Sequence, residues 1–172
     1  MAGFAHLARR FVGSLRPGGP APADQGWVDE HLLPGERGLW RRMSGPDRRH
    51  ATTVAREVQR ALGHEASRPV LAAALLHDVG KVESGLRTYG RVVATLSAKV
   101  AGPDMAHTWR RQRGFPRRVG LYLLHPDLGA DLLELAGSDP LTVAWTREHH
   151  LPEDQWTVPR HLAEALKSAD DD

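Results

Sequence analysis

One apolar run constrains the fold of this chain more than any other stretch of its sequence. Pro69 opens the run, seven apolar residues follow over positions 70–76, and His77 and Asp78 stand directly after them. A proline in the first turn followed by such a run predicts a helix, which we expect to end at Gly80. Burying two adjacent polar side chains is costly unless a partner satisfies them. The run therefore predicts a helix that carries a polar site into the interior.

The rest of the chain predicts an all-α fold, because apolar residues recur at helical spacing and strand-like alternation is scarce. Ser44 and Pro46 indicate the start of a helix that buries Ala51, Val54 and Val58 on one face and stops at Gly63. The other predicted helices span residues 4–15, 27–33, 36–43, 90–101, 103–112, 116–124, 127–136, 140–149 and 159–169.

A segment rich in proline and glycine, residues 16–26, predicts a linker. We therefore predict two parts: an N-terminal helical arm and linker over residues 1–43, and a main domain over residues 44–172. The arm is basic and amphipathic, which suits a membrane surface as well as packing on the domain or on a partner subunit.

Composition narrows the classes of protein that this chain can belong to. Its 172 residues are enough for one domain, and 41% of them are hydrophobic. It has no cysteine, which excludes disulfides and thiolate metal sites. We expect a cytoplasmic protein, since we find no secretory signal and no apolar run of the roughly 18 residues that a membrane span needs. The net charge of +2 gives little reason to expect a nucleic-acid partner, although 20 of the 23 basic residues are arginine. The oligomeric state stays open.

Polar residues interrupt the apolar helices in an ordered series. Its members are His50, His77, Asp78, His125, His149, His150 and Asp170. A single histidine such as His50 is typical of a satisfied core residue, but the whole series favours a metal site. Imidazole and carboxylate ligands suit Mn, Fe, Co, Ni or Zn, and the lack of thiolates favours an open catalytic site.

This series resembles the HD-domain metal-dependent phosphohydrolases, which are named for their adjacent His-Asp pair. The family pattern of an early His, the pair and a late Asp matches "HATTVA", "HDVGK" and "LKSAD" over roughly residues 44–172. The match in "LKSAD" selects Asp170 over Asp171 and Asp172. The resemblance implies an HD-domain helical bundle with a divalent transition metal.

His125 and the His149-His150 doublet stand where HD proteins with two metals add further histidines. The segment "HPDLGADLL" is similar to bacterial HD-type diadenosine tetraphosphate hydrolases, and the doublet is more distantly similar to HD-GYP phosphodiesterases. However, "LPEDQWTVP" replaces the Gly-Tyr-Pro signature, and Pro46 stands where three-metal enzymes carry a Glu. The resemblance therefore implies two ions per chain and a substrate other than cyclic di-GMP.

On this resemblance, Asp78 would be the catalytic residue that bridges two ions. His50, His77 and Asp170 would complete the coordination of one ion. His125 and His149 would complete the coordination of the other ion. Adjacent residues cannot share one side of a regular helix, so His150 would be a further ligand or a substrate contact. A hydroxide formed on the metals would then attack phosphorus.

Cationic side chains would neutralise the phosphate. We expect Lys81 to touch a non-bridging oxygen as a catalytic and substrate-binding residue, although capping the helix in solvent is the alternative. Arg87, Arg91 and Arg118 are further candidates for substrate binding, and an arginine-rich run such as residues 110–118 is also typical of a solvated face.

The expected activity is hydrolysis of a phosphate ester or anhydride in a small nucleotide-like substrate. It would make the chain a phosphomonoesterase, a phosphodiesterase or a phosphoanhydride hydrolase. The alternatives are a one-metal HD nucleotidase and a non-catalytic HD-like sensor or scaffold.

Overall fold

The computed structural model describes residues 18–86, 90–95 and 105–171. The predicted arm helix at 4–15, Arg87 and half of the helix predicted at 90–101 lie outside these residues. Within them every regular element is helical and no strand occurs, so the all-α prediction is confirmed.

Most of the α-helices begin and end close to the turn signals of the sequence, but the helix that we expected to end at Gly80 ends at Leu76 and is followed by a 3₁₀ turn. They are α1 (Pro22–His31), α2 (Pro34–Arg42), α3 (Gly45–Leu62), α4 (Arg68–Leu76), α5 (Met105–Arg110), α6 (Gly114–Leu123), α7 (His125–Leu135), α8 (Pro140–Glu148) and α9 (Arg160–Asp171). Short 3₁₀ turns span Gly63–Glu65, Val79–Glu83 and Glu153–Gln155, and residues 90–95 are helical.

Local chemistry explains several of these ends. The Ser44 hydroxyl accepts a hydrogen bond from the Asp47 amide at the start of α3, and the Asp139 carboxylate accepts one from the Leu141 amide at the start of α8. These caps satisfy amides that have no partner inside the helix. At the other end of α3, Gly63 adopts a φ of 56°, which a residue with a side chain rarely takes.

Helix α4 forms the centre of the core. All of its residues from Val70 to Leu76 are buried, as the apolar run predicted. It packs against α3 on one side and α8 on another, while α9 packs on α3 and α7 packs on α8. Each fully buried leucine of α4 contributes about 1.5–3 kcal/mol through loss of contact with water. A rigid helix therefore holds the His-Asp pair that follows it.

The linker prediction is wrong from Pro22 onward, because α1 begins there. Gly26 lies on an exposed face of α1, and the Arg56 guanidinium stacks 3.8 Å from the centre of the Trp27 ring on the same helix. Val28 of α1 and Trp40 of α2 are fully buried in the same core cluster as α4. Tertiary packing thus overrides the turn-like composition. None of the described helices combines the length and the apolarity that crossing a bilayer requires.

Candidate metal centre

The predicted ligands lie mostly at helix ends that converge on one interior point. His77 and Asp78 follow the last residue of α4, and His125 is the first residue of α7. His149 follows the last residue of α8, and Asp170 lies in the last turn of α9. His50 comes from α3, the helix on which α9 packs. Five helices therefore contribute to one polar cluster.

Two glycines allow the His-Asp pair to approach His125. A Cβ atom on Gly80 would lie 2.6 Å from the Gly129 amide nitrogen and 2.9 Å from the carbonyl carbon of His125, so any larger residue would clash with backbone. The glycines of "HDVGK" and "HPDLG" thus bring the turn after α4 into direct backbone contact with α7. This contact places His125 beside Asp78.

Asp78 is the hub of the cluster. Its Oδ1 lies 3.2 Å from Nε2 of His125 and 3.9 Å from Nε2 of His149, and its Oδ2 lies 3.5 Å from Nε2 of His77. Asp170 stands on the other side, with its Oδ1 3.5 Å from Nε2 of His77 and 2.9 Å from Nε2 of His50. The two carboxylates and four histidines therefore form one continuous set.

Three of these rings are oriented in the same way. Nδ1 of His77, His125 and His149 lies 2.7–2.9 Å from the carbonyl oxygen three residues earlier in each case, and donates a hydrogen bond to it. Their Nε2 atoms are buried, face Asp78 and have no hydrogen-bond partner of good geometry. A backbone bond at Nδ1 leaves Nε2 of His125 and His149 as the free lone pair, which is the arrangement of metal-binding histidines, and His77 gains the same arrangement once its Nε2 proton is lost. The cluster therefore fits a metal ion.

Two groups of side chains offer ligand atoms that lie within 4.8 Å of one another. One group is His50, His77 and Asp78, and the other is His125, His149 and His150. Both histidines of the doublet reach the same cluster, which the rule for a regular helix did not predict. The reason is that α8 ends at Glu148, so the doublet lies in the turn beyond it.

Burial and charge shift the pKa values of the metal-free cluster in opposite directions. Burial lowers the pKa of His125 and, more strongly, that of His149, and burial with the nearby His125 lowers the pKa of His150 to about 4. Burial also opposes charge on His77, but the carboxylates of Asp78 and Asp170 outweigh it and raise the pKa to about 9. Three histidines are thus neutral at pH 7, as ligands must be, while His77 holds a proton.

The HD domain family model matches residues 49–171, which include every member of the cluster. The chain belongs to the HD domain family. The family belongs to a superfamily of metal-dependent phosphohydrolases, which agrees with the orientation of the three buried rings. No curated protein and no solved structure matches the chain.

Lys81 of this HD domain turns inward. Its ammonium group contacts the Asp78 carboxylate, and its side chain is only 15% exposed. The alternative of a helix cap in solvent is therefore wrong. Burial opposes the charge on both groups, but their mutual attraction keeps the pKa of Asp78 low and that of Lys81 high. The result is a fixed positive charge at the edge of the cluster.

Arg91 and Arg118 bind the protein itself. The Arg91 guanidinium forms a two-point ion pair with Asp47, at 2.5 and 2.8 Å, and its Nε donates to the Leu86 carbonyl. Arg118 donates to the carbonyls of Ser84 and Gly85. Both arginines thereby fasten the segment that follows the His-Asp turn. Their role in substrate binding, like that of Arg87, stays a prediction.

Two residues beside the cluster were not predicted. The Tyr122 ring lies 5.7 Å from the His125 ring in a stacked arrangement, and Lys81 lies 5.9 Å from the Tyr122 ring centre. Asp47, three residues before His50, holds Arg91. Tyr122 and Asp47 each stand three residues before a predicted ligand. This spacing is the one signal in the sequence that marks them.

Proposed function

We propose that the chain is a two-metal phosphohydrolase that cleaves a phosphate ester or anhydride of a small nucleotide-like substrate. The observation that carries this proposal is the convergence of three buried Nε2 atoms, none of which makes a hydrogen bond of good geometry, on the carboxylate of Asp78. A buried polar atom without a good hydrogen bond costs free energy, and a metal ion bound between these nitrogens and the carboxylate would satisfy all of them at once.

We assign His50, His77 and Asp170 to one ion and His125, His149 and His150 to the other, with Asp78 shared between them. The two groups of mutually close ligand atoms support this division. When bound, two divalent transition-metal ions supply a water activated near neutral pH and Lewis-acid stabilisation of the phosphoryl group.

The protein supplies orientation and charge around that chemistry. Backbone carbonyls lock the rings of His77, His125 and His149, so that Nε2 of each stays aimed at the centre. Lys81 carries the cation nearest to Asp78 and would stabilise the charge that develops on a non-bridging phosphate oxygen. Tyr122, beside both His125 and Lys81, offers an aromatic face to a nucleoside base.

The metal content of the purified chain tests the number of ions. Two bound ions per chain support the proposal, one ion indicates a one-metal nucleotidase, and none after incubation with Mn, Fe, Co, Ni and Zn indicates a non-catalytic sensor or scaffold. The His161→Gln variant is the control for loss of a histidine outside the cluster, and its metal content should equal that of the parent chain. His161 lies at the surface and pairs with Glu65.

A hydrolysis screen tests the substrate class. We expect metal-dependent release of phosphate or nucleotide from nucleoside phosphates or dinucleoside polyphosphates, abolished by a chelator and restored by metal. Cyclic di-GMP should be hydrolysed with a much lower kcat/KM, because "LPEDQWTVP" replaces the Gly-Tyr-Pro segment. A preference for cyclic di-GMP would contradict this assignment.

A further inference from the structure

A run of exposed arginines lies on the helical hairpin formed by α5 and α6. Residues 105–118 contain five arginines and no acidic residue. All five are exposed: Arg110, Arg111, Arg113, Arg117 and Arg118. The other 39 charged residues of the chain include 18 basic and 21 acidic ones, so the net charge of +2 conceals a local charge of +5.

Four of these arginines are available to a ligand. Arg118 is engaged with the carbonyls of Ser84 and Gly85, but no acidic side chain among the described residues pairs with the other four. Holding like charges together without counter-ions is unfavourable at low salt. The two helices of the hairpin pack closely, because a Cβ on Gly120 would lie 2.7 Å from the Ala106 carbonyl oxygen.

An aromatic track accompanies this charge. Phe115 is 47% exposed at the start of α6, so its ring is open to solvent beside the arginines. Residues three, four and seven apart share one face of a helix, so Phe115, Arg118 and Tyr122 form a stripe along α6. Seven residues of helix span about 10 Å, and Tyr122 at the far end stacks on His125. The stripe therefore leads from the arginine-rich tip to the metal centre.

We propose that this hairpin binds single-stranded nucleic acid. Arginine guanidinium groups hold phosphate oxygens in two-point contacts, and exposed aromatic rings stack on unpaired bases whatever their sequence. An anionic membrane is the weaker partner, since one half-exposed phenylalanine at the tip buries little apolar area in a bilayer.

Binding of an oligonucleotide can be measured without hydrolysis. The probe is a fluorescein-labelled oligothymidine of about 12 nucleotides, titrated with the full chain in a chelator while fluorescence anisotropy is recorded. Because four arginines release counter-ions from a single strand, log K should fall with log[salt] with a slope of about −3, or about 50-fold in affinity for a fourfold rise in salt. Absence of saturable binding at low salt would overturn the proposal, and it would leave the metal-content test unaffected.

A pair of double variants locates the surface. Arg113→Gln with Arg117→Gln should weaken oligonucleotide binding at least tenfold and lower the salt slope by about 1.4. The matched control, Arg60→Gln with Arg160→Gln, removes the same charge from side chains that are 73% and 70% exposed elsewhere. Equal weakening in both double variants would refute the site, because binding would then follow net charge alone.

Substitutions of Phe115 test whether stacking of bases on its ring contributes to binding beyond the attraction between arginines and phosphates. Phe115→Leu should weaken binding by about fivefold or more, whereas Phe115→Tyr should retain it. Circular dichroism checks that each variant keeps its helices. Unchanged binding by the leucine variant would refute the aromatic track. Binding of phosphatidylserine vesicles in place of the oligonucleotide would show that the surface serves a membrane.

Discussion

Replacing Asp78 by asparagine is the sharpest perturbation of this HD domain, because it changes charge while preserving volume. The side chain is 5% exposed and is within 4 Å of three histidines and Lys81. The amide loses the negative charge that two cations would share, and its NH₂ group is a poor metal ligand. We expect metal content to fall from two ions to at most one, with hydrolysis lost under metal saturation.

The same substitution leaves Lys81 without its partner. Breaking a buried ion pair by removing one member costs about 3–5 kcal/mol. For a domain of this size, about 3 kcal/mol corresponds to a fall in Tm of about 6–12 °C. Thermal unfolding of the metal-free proteins measures this cost, and circular dichroism at low temperature should show the helical content unchanged.

A second variant separates the two effects of Asp78. Adding Lys81→Met to Asp78→Asn removes the uncompensated charge, so the double variant should regain most of the lost stability but neither metal nor activity. Full metal content in Asp78→Asn would refute the shared role of Asp78. Failure of the double variant to regain stability would refute the ion-pair reasoning.

Three further outcomes are expected. His125→Ala should leave one strong event in a calorimetric metal titration, where the parent shows two; two unchanged events would exclude His125 as a ligand. Gly80→Ala should destabilise the fold by about 1–3 kcal/mol in denaturant unfolding and reduce hydrolysis, because the new methyl group meets the backbone of His125 and Gly129. Metal affinity should rise about tenfold per pH unit between about pH 6 and pH 8 in titrations at several pH values, since the pKa of His77 is raised to about 9 and binding displaces its proton; a flat profile would contradict this.

Local sequence signals determined the helices and the identity of the cluster. The apolar run of α4, the Ser44 cap and the Gly63 stop each act within a few residues, so they can be recognised without knowing the fold. The ordered histidines and aspartates follow the same logic, because each one ends or interrupts an apolar helical pattern. Their order along the chain was sufficient to predict the HD-domain family, which the family match confirmed.

Tertiary packing decided which atoms meet. The direct contact of Gly80 with Gly129, 49 positions apart in the chain, sets His125 against Asp78, and no local pattern encodes that distance. Packing also turned Arg91 toward Asp47 and Arg118 toward the Ser84 carbonyl. Long side chains have many rotamers of similar energy, and the partner within reach selects one of them. Tertiary contacts also explain why α1 begins inside a segment rich in proline and glycine. Burial of Val28 in the core outweighs the weak helix propensity of that segment.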